Sequence, residues 1–130
     1  MIVEILDNQF AVLINSLKDL VGKANTDQIL RSAAVIEQTF GGLTSNLWDD
    51  PFEWTLPETL STPELVIDHL SEVDALRQTF FSSIDGDAAL SKLVSVPSGE
   101  PRALVELLLA TLVRASDYRG RAVAAVKILS

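Results

Sequence analysis

Residues 100–130 read EPRALVELLLATLVRASDYRGRAVAAVKILS and predict one long, largely apolar helix over 100–129. At about 100° per residue, one side of this helix forms a core-facing seam made of Leu104, Leu108, Thr111, Ala115, Ala122, Val126 and Leu129. A neighbouring side is also apolar and carries Val105, Leu109, Leu112, Val113 and Val123. A helix that is apolar nearly all round is normally buried all round, so the second side needs a cover. Either the 88–96 segment or a second subunit supplies it, and we expect a homodimer through this helix.

Two helices are predicted in the first third of the chain. The first covers residues 2–21 and stops at Gly22, with apolar residues at helical spacing at Ile2, Ile5, Leu6, Phe10, Leu13, Leu17 and Leu20. The second covers residues 25–48. Asn25 and Gln28 fit a capping box at its start, and its apolar positions are Ile29, Ala33, Ile36 and Phe40.

A third helix is predicted over residues 61–84. Ser61 and Glu64 fit a capping box, and the proline between them is tolerated in a first turn. Its apolar stripe consists of Val66, Leu70, Val73, Leu76, Phe80 and Ile84. A short helix or turn is predicted over 88–94 before the chain breaks at Pro97-Ser98-Gly99.

The connection between the second and third helices is long and aromatic. Residues 48–60 hold Trp48, Phe52 and Trp54, which fit either a plug over the open end of a bundle or the lip of a pocket. Four long helices with one long second connection predict an all-α four-helix bundle that occupies residues 1–130 as a single domain.

The amino-acid composition limits the kinds of partner that we expect this protein to bind. The formal net charge is −8, and such a chain repels phosphate, so we expect neither nucleic acid nor an anionic membrane surface as a partner. The absence of cysteine excludes disulfides and thiolate zinc sites. No basic segment precedes an apolar stretch at the start and no uncharged run is long enough to span a membrane, so a cytoplasmic protein is expected.

His69 is the only histidine and projects to the boundary of the third helix's apolar stripe. Asp68 and Glu72 flank it. It fits a histidine bonded to a carboxylate or carbonyl, or else a metal ligand or proton carrier inside the bundle. No set of three ligands at useful spacing accompanies it, so neither a metal nor another cofactor is predicted.

The last helix carries four basic residues, Arg114, Arg119, Arg121 and Lys127. Basic side chains are favourable near the negative end of a helix. Together with Tyr118 they also fit a clamp for a small anionic ligand. The carboxylate pairs Asp49/Asp50, Glu64/Asp68 and Asp85/Asp87 fit solvated surface and helix-capping positions.

The chain resembles the DinB/YfiT-like family of metal-site helical bundles. The likeness rests on the Trp- and Pro-containing loop, on Ser61-Thr62-Pro63-Glu64-Leu65 at the start of helix three, and on Leu108-Leu109 followed by Arg119-Gly120 in the last helix. The resemblance implies an up-down-down-up helix order. It also implies a divalent metal held by one histidine of the second helix and by two, four residues apart, of the last.

This chain departs from the family at each metal ligand. The two positions in the last helix carry Arg114 and Tyr118, and residues 25–48 contain no histidine. Arginine is always charged and cannot ligate a metal. What the resemblance leaves is a bundle with a pocket lined by Arg114, Tyr118, His69 and Trp54.

The sequence therefore favours a non-catalytic binding or interaction module with a degenerate metal site. The alternative is a small-molecule transferase or hydrolase with a remodelled site around His69, Arg114 and Tyr118. A third hypothesis is a purely structural dimer.

Overall fold

The computed structural model describes residues 2–45, 60, 62–84, 86–96 and 99–129, with the side chains of residues 45 and 125–129 excepted. Four α-helices dominate them, α1 (Ile2–Leu20), α2 (Thr26–Ser45), α3 (Pro63–Ser82) and α4 (Leu104–Leu129). The predicted all-α four-helix bundle is confirmed. The residues of the predicted 48–60 connection other than Leu60 lie outside the described residues.

The helices pack in the cyclic order α1–α3–α2–α4, so that α1 lies diagonally across from α2 and α3 diagonally across from α4. Asp7, in the second turn of α1, binds Arg77, in the last two turns of α3. These two helices are therefore antiparallel.

Contacts along α2 and α4 show that this pair is antiparallel too. Ser32 donates to the carbonyl of Ala115, whereas Thr39, two turns further along α2, meets Thr111, one turn earlier in α4. The first turn of α1 is bonded to Asp87 of a 3₁₀ helix at Asp87–Ser91, and Leu104 at the start of α4 donates to the carbonyl of Lys92 directly after that helix, so α1 and α4 run parallel. The resulting order is up-down-down-up.

Phenylalanines from three helices form the centre of the core. Phe10 and Phe40 are fully buried, with their ring centroids 5.1 Å apart in an edge-on arrangement. Phe80 and Phe81 of α3 join them, with centroids 5.2 and 5.7 Å from that of Phe40. Edge-to-face aromatic pairs stabilise a core beyond the apolar area they bury.

The last turn of α1 and the first turn of α2 lie close to where the sequence predicts them. Gly22 adopts φ +82°, a conformation that costs glycine little, and α1 ends two residues before it. Asn25 accepts a hydrogen bond from the backbone N–H of Gln28 at 3.2 Å. This bond is the forward half of the predicted capping box.

The starts of the last two helices differ from the prediction. Thr62 caps α3 and accepts from the N–H of Leu65 at 3.3 Å, while the predicted cap residue, Ser61, lies outside the described residues. α4 begins at Leu104 rather than Glu100, because β2 (Arg102–Ala103) pairs antiparallel with β1 (Leu93–Val94). The sequence pattern misses this hairpin because each strand has only two residues.

Asp87 joins the segment after α3 to the first turn of α1. Its two carboxylate oxygens each lie 3.0 Å from a backbone nitrogen, one of Ile2 and one of Val3. The first N–H groups of a helix lack partners within the helix, so this carboxylate caps α1 from a distant part of the chain. These two bonds lower the pKa of Asp87 to about 2.

Candidate functional site

The two apolar sides of α4 have different surroundings. The core seam is confirmed for Leu104, Leu108, Thr111, Ala115 and Ala122, which are all buried; the side chains of Val126 and Leu129 lie outside the described residues. On the second side, Val105 and Leu112 pack against the core. Leu109 and Val113 stay exposed, at 47% and 68% of their full area. Part of the second side is thus covered within the chain, and part is not.

The uncovered part continues along α4 as a line of uncharged residues. Leu109, Val113, Ser116 and Gly120 are all exposed, and their spacing of four, three and four residues places them on one side of the helix. We call these four residues the α4 seam. A Cβ built on Gly120 meets no atom of the described residues within 4 Å, so packing among these residues does not require a glycine there.

Helix α1 adds two more exposed aliphatic residues beside the α4 seam. Ile5 and Val12 are each 55% exposed and, being seven residues apart, share a side of α1. Val12 lies one turn before Ser16, which accepts a hydrogen bond from Arg119 of α4 at 2.8 Å. Val12 therefore lies near the contact between α1 and α4, and Ile5 lies two turns before it on the same side of α1.

His69 lies in the contact between α2 and α3. Its Nε2 is 3.4 Å from a carboxylate oxygen of Glu37 on α2, and its Nδ1 is 3.8 Å from one of Glu72. Glu37 raises the pKa of His69 most strongly, burial opposes the rise, and Glu72 adds to it. His69 matches the prediction of a boundary histidine beside a carboxylate, although its nearer partner belongs to another helix. A side chain that is 22% exposed can exchange this proton with solvent.

Tyr118 lies in the contact between α2 and α4. The Arg121 guanidinium is 5.2 Å from the centroid of its ring, a distance that suits a cation–π contact. On α2, Asp27 is the main cause that raises the pKa of Arg31, and Tyr118 adds to the rise. Tyr118 is half-buried, whereas Arg114, one turn before it on the same side of α4, is exposed.

The basic side chains of α4 do not share one binding partner within the described residues. Arg119 turns to α1, where it donates to Ser16. Arg121 pairs with Asp117 at 2.9 Å. Arg114 is exposed, and the side chain of Lys127 is outside the described residues. Of the residues predicted to form an anion clamp, Arg121 lies over the Tyr118 ring and Arg114 lies one turn before Tyr118, whereas Arg119 is bonded to α1.

The predicted pocket residues belong to different parts of the bundle. His69 is held by α2 and α3, while Arg114 and Tyr118 lie on α4, diagonally opposite α3. Trp54 lies outside the described residues. The structure brings Arg114 and Tyr118 together and places His69 elsewhere.

A chain of buried hydroxyls crosses between α2 and α4. The Thr111 hydroxyl donates to the carbonyl of Leu107 at 2.8 Å, and the Thr39 hydroxyl lies 2.7 Å from that of Thr111. Because the single Thr111 proton is used for Leu107, Thr39 is the donor in the second bond. Ser32 donates to the carbonyl of Ala115 at 2.6 Å. These bonds fix how α4 is oriented on α2, and hence which of its sides is exposed.

Sequence reasoning missed one buried charge. The side chain of Arg77 is 10% exposed and binds Asp7 of α1 and Asp74 of its own helix. Burial lowers the pKa of Arg77, but the two carboxylates together raise it by more than burial lowers it, so the pKa of Arg77 is raised overall. Arg77 interrupts the apolar stripe of α3. The sequence feature that could have indicated a buried ion pair is Asp74, three residues before Arg77.

No protein-family model, curated protein or solved structure matches this chain. Among the described side chains, no three or more His, Cys, Asp or Glu residues are grouped so as to hold a metal ion. None of the helices in the described ranges is long and apolar enough to cross a membrane.

Proposed function

We propose that this protein is a non-catalytic interaction module, and that it forms a homodimer through the exposed seam of α4. Leu109 and Val113 are exposed, and this is the main support for the proposal. The same side of α4 continues with Ser116 and Gly120, so all four residues are uncharged. Depletion of charged residues is typical of the centre of a protein interface, and an apolar patch of this kind marks an interaction site.

The size of the patch indicates a weak dimer. Fully burying an aliphatic side chain contributes about 1.5–3 kcal/mol, so residues that are roughly half exposed contribute about 1 kcal/mol each. Ile5, Val12, Leu109 and Val113 of both copies would contribute roughly 8 kcal/mol in total. Association costs about 4–15 kcal/mol. Set against the lowest of these costs, the apolar contacts leave about 4 kcal/mol, which corresponds to a dissociation constant of about 1 mM.

The dimer is tested with Leu109→Glu. This change places a carboxylate at the centre of the patch, and a buried charge without a partner is strongly unfavourable. We expect the variant to sediment as a monomer at concentrations where the wild type is dimeric.

The matched control is Leu65→Glu. Leu65 is exposed to a similar degree, 41%, but lies on α3. We expect this variant to dimerise like the wild type. A Leu109→Glu variant that remained dimeric would remove α4 as the interface.

Kinship with the DinB/YfiT-like bundles is part of the proposal. The up-down-down-up order of the helices supports it, since that is the order the resemblance implies. Under this proposal the family's metal site has been lost, because the two positions in the last helix carry Arg114 and Tyr118.

A small anionic ligand is the second proposed partner. Exposed Arg114 and half-buried Tyr118, one turn apart on one side of α4, support it. The placement of His69 in the contact between α2 and α3 favours this simple binding surface over the alternative of a transferase or hydrolase site built from all three residues.

A further inference from the structure

We infer that two copies of this chain pair through antiparallel α4 helices, with Leu109 of each copy seated on Gly120 of the other and Val113 against Ser116. This inference rests on the proposed dimer and specifies its geometry. It draws on the order of large and small residues along the α4 seam and on the charges beside it.

The seam is complementary to itself when one copy is reversed. Leu109 and Gly120 are equally distant from the point midway between Arg114 and Ala115, and so are Val113 and Ser116. A two-fold axis at that point places each large residue opposite a small one. Residues spaced four, three and four apart form the seam of a coiled coil, in which side chains of one helix fill spaces of the other.

The described residues give no packing reason for a glycine at position 120. A glycine inside a helix costs about 1 kcal/mol relative to alanine, and a Cβ at Gly120 would meet nothing within 4 Å. The absence of a side chain is accounted for when Leu109 of a second copy occupies that space.

The charges beside the seam also fit the reversed copy. Glu106 and Arg121 lie on the same flank of α4, and the two-fold axis places them within about two residues of being opposite each other. Glu106 is 63% exposed and 4.0 Å from Arg102, while Arg121 is 59% exposed and pairs with Asp117. A guanidinium has five donors, so Arg121 can bind Asp117 and Glu106 of the second copy together. In a parallel pair, Glu106 of one copy and Arg121 of the other would lie about 22 Å apart along the helices and could not meet.

Engineered cysteines test the geometry without background, because the chain contains no cysteine. We would purify Leu109→Cys, Gly120→Cys and the double variant, oxidise each one, and run non-reducing gels and sedimentation on the same samples. Gly120→Cys enters open space in the single chain, and circular dichroism melts check that each variant folds.

The expected pattern is specific to the antiparallel register. The double variant and an equimolar mixture of the single variants should form covalent dimers, whereas each single variant alone should not. In this register two copies of residue 109 are offset by about 16 Å along the helix, and a disulfide requires Cα atoms within about 7 Å.

Efficient crosslinking of Leu109→Cys alone would indicate parallel helices and overturn the inference. Sedimentation as a dimer with no crosslink in the double variant or the mixture would overturn the register while leaving the proposed dimer in place. A monomer at every concentration would overturn both. As a second readout, Glu106→Arg should weaken dimerisation roughly 3- to 10-fold, and adding Arg121→Glu should restore it.

Discussion

The buried hydroxyl pair between α2 and α4 allows a sharp test of how α4 is held in the bundle. Thr39 is 6% exposed and Thr111 3% exposed, and the proton assignment makes their roles unequal. Thr39 depends on Thr111 as its acceptor, whereas Thr111 donates to the Leu107 carbonyl whether or not Thr39 is present. Replacing each threonine with valine keeps the side-chain shape and removes only the hydroxyl.

Because the two hydroxyls have unequal roles, we expect the two valine variants to lose unequal amounts of stability. Thr111→Val leaves the Thr39 hydroxyl buried without its acceptor, and an unsatisfied buried donor costs about 1–3 kcal/mol. A bond from Thr39 back to the carbonyl of Val35 would recover part of this, so we expect a loss of about 1–2 kcal/mol. Thr39→Val leaves Thr111 satisfied and should cost about 0.5–1 kcal/mol.

The double variant Thr39→Val/Thr111→Val should be nearly as stable as the wild type. Replacing both partners with apolar groups of the same shape leaves no hydroxyl unsatisfied and is nearly neutral. The coupling energy between the two sites should therefore be about 1.5–3 kcal/mol, the sum of the two single losses.

The assay is urea unfolding followed by circular dichroism at a fixed protein concentration, since dimerisation makes apparent stability depend on concentration. Thr44→Val is the control, because Thr44 is exposed and bonds within its own helix to the Phe40 carbonyl. Losses that simply add in the double variant, or a Thr39→Val loss equal to that of Thr111→Val, would refute the proton assignment.

Two further predictions concern pH. Because Glu37 raises the pKa of His69, their ion pair should stabilise the fold fully below about pH 6.5 and lose this effect as the pH rises through the folded-state pKa. The loss should be about 0.2–1 kcal/mol for a partly exposed pair, and His69→Gln should flatten the dependence in urea titrations between pH 5.5 and 9; an unchanged slope would exclude the pair. Because the pKa of Asp87 is lowered to about 2, its bonds to Ile2 and Val3 should stabilise the fold above about pH 4 and fail as the pH falls towards 2. Asp87→Asn should lower the thermal midpoint at pH 6 and differ less from the wild type at pH 2.5; an equal difference at both pH values would contradict the role of the charge.

The fold could be predicted from the sequence because its strongest signals are periodic. Ile29, Ala33, Ile36 and Phe40 recur at helical steps, and all four are fully buried. Periodicity alone, however, does not identify which neighbour covers an apolar side. Ile5 belongs to the apolar pattern of α1 and yet is 55% exposed.

The candidate site was harder to predict, since its contacts join residues far apart in the chain. His69 could be recognised as a boundary residue, but its nearest carboxylate is on α2. Asp87 fits a cap by residue type, although the helix that it caps is the first of the chain. Arg77 is charged and buried, and the pairing of α1 with α3 that explains it is visible only in the structure.

Sedimentation velocity of the wild-type protein from about 2 µM to about 1 mM tests the central proposal most directly, since the upper end of this range reaches the dissociation constant expected for the dimer. We expect a species of 14.1 kDa at the lowest concentration and a reversible rise of the average mass towards twice that value at the highest. A species of 14.1 kDa at every concentration would contradict it.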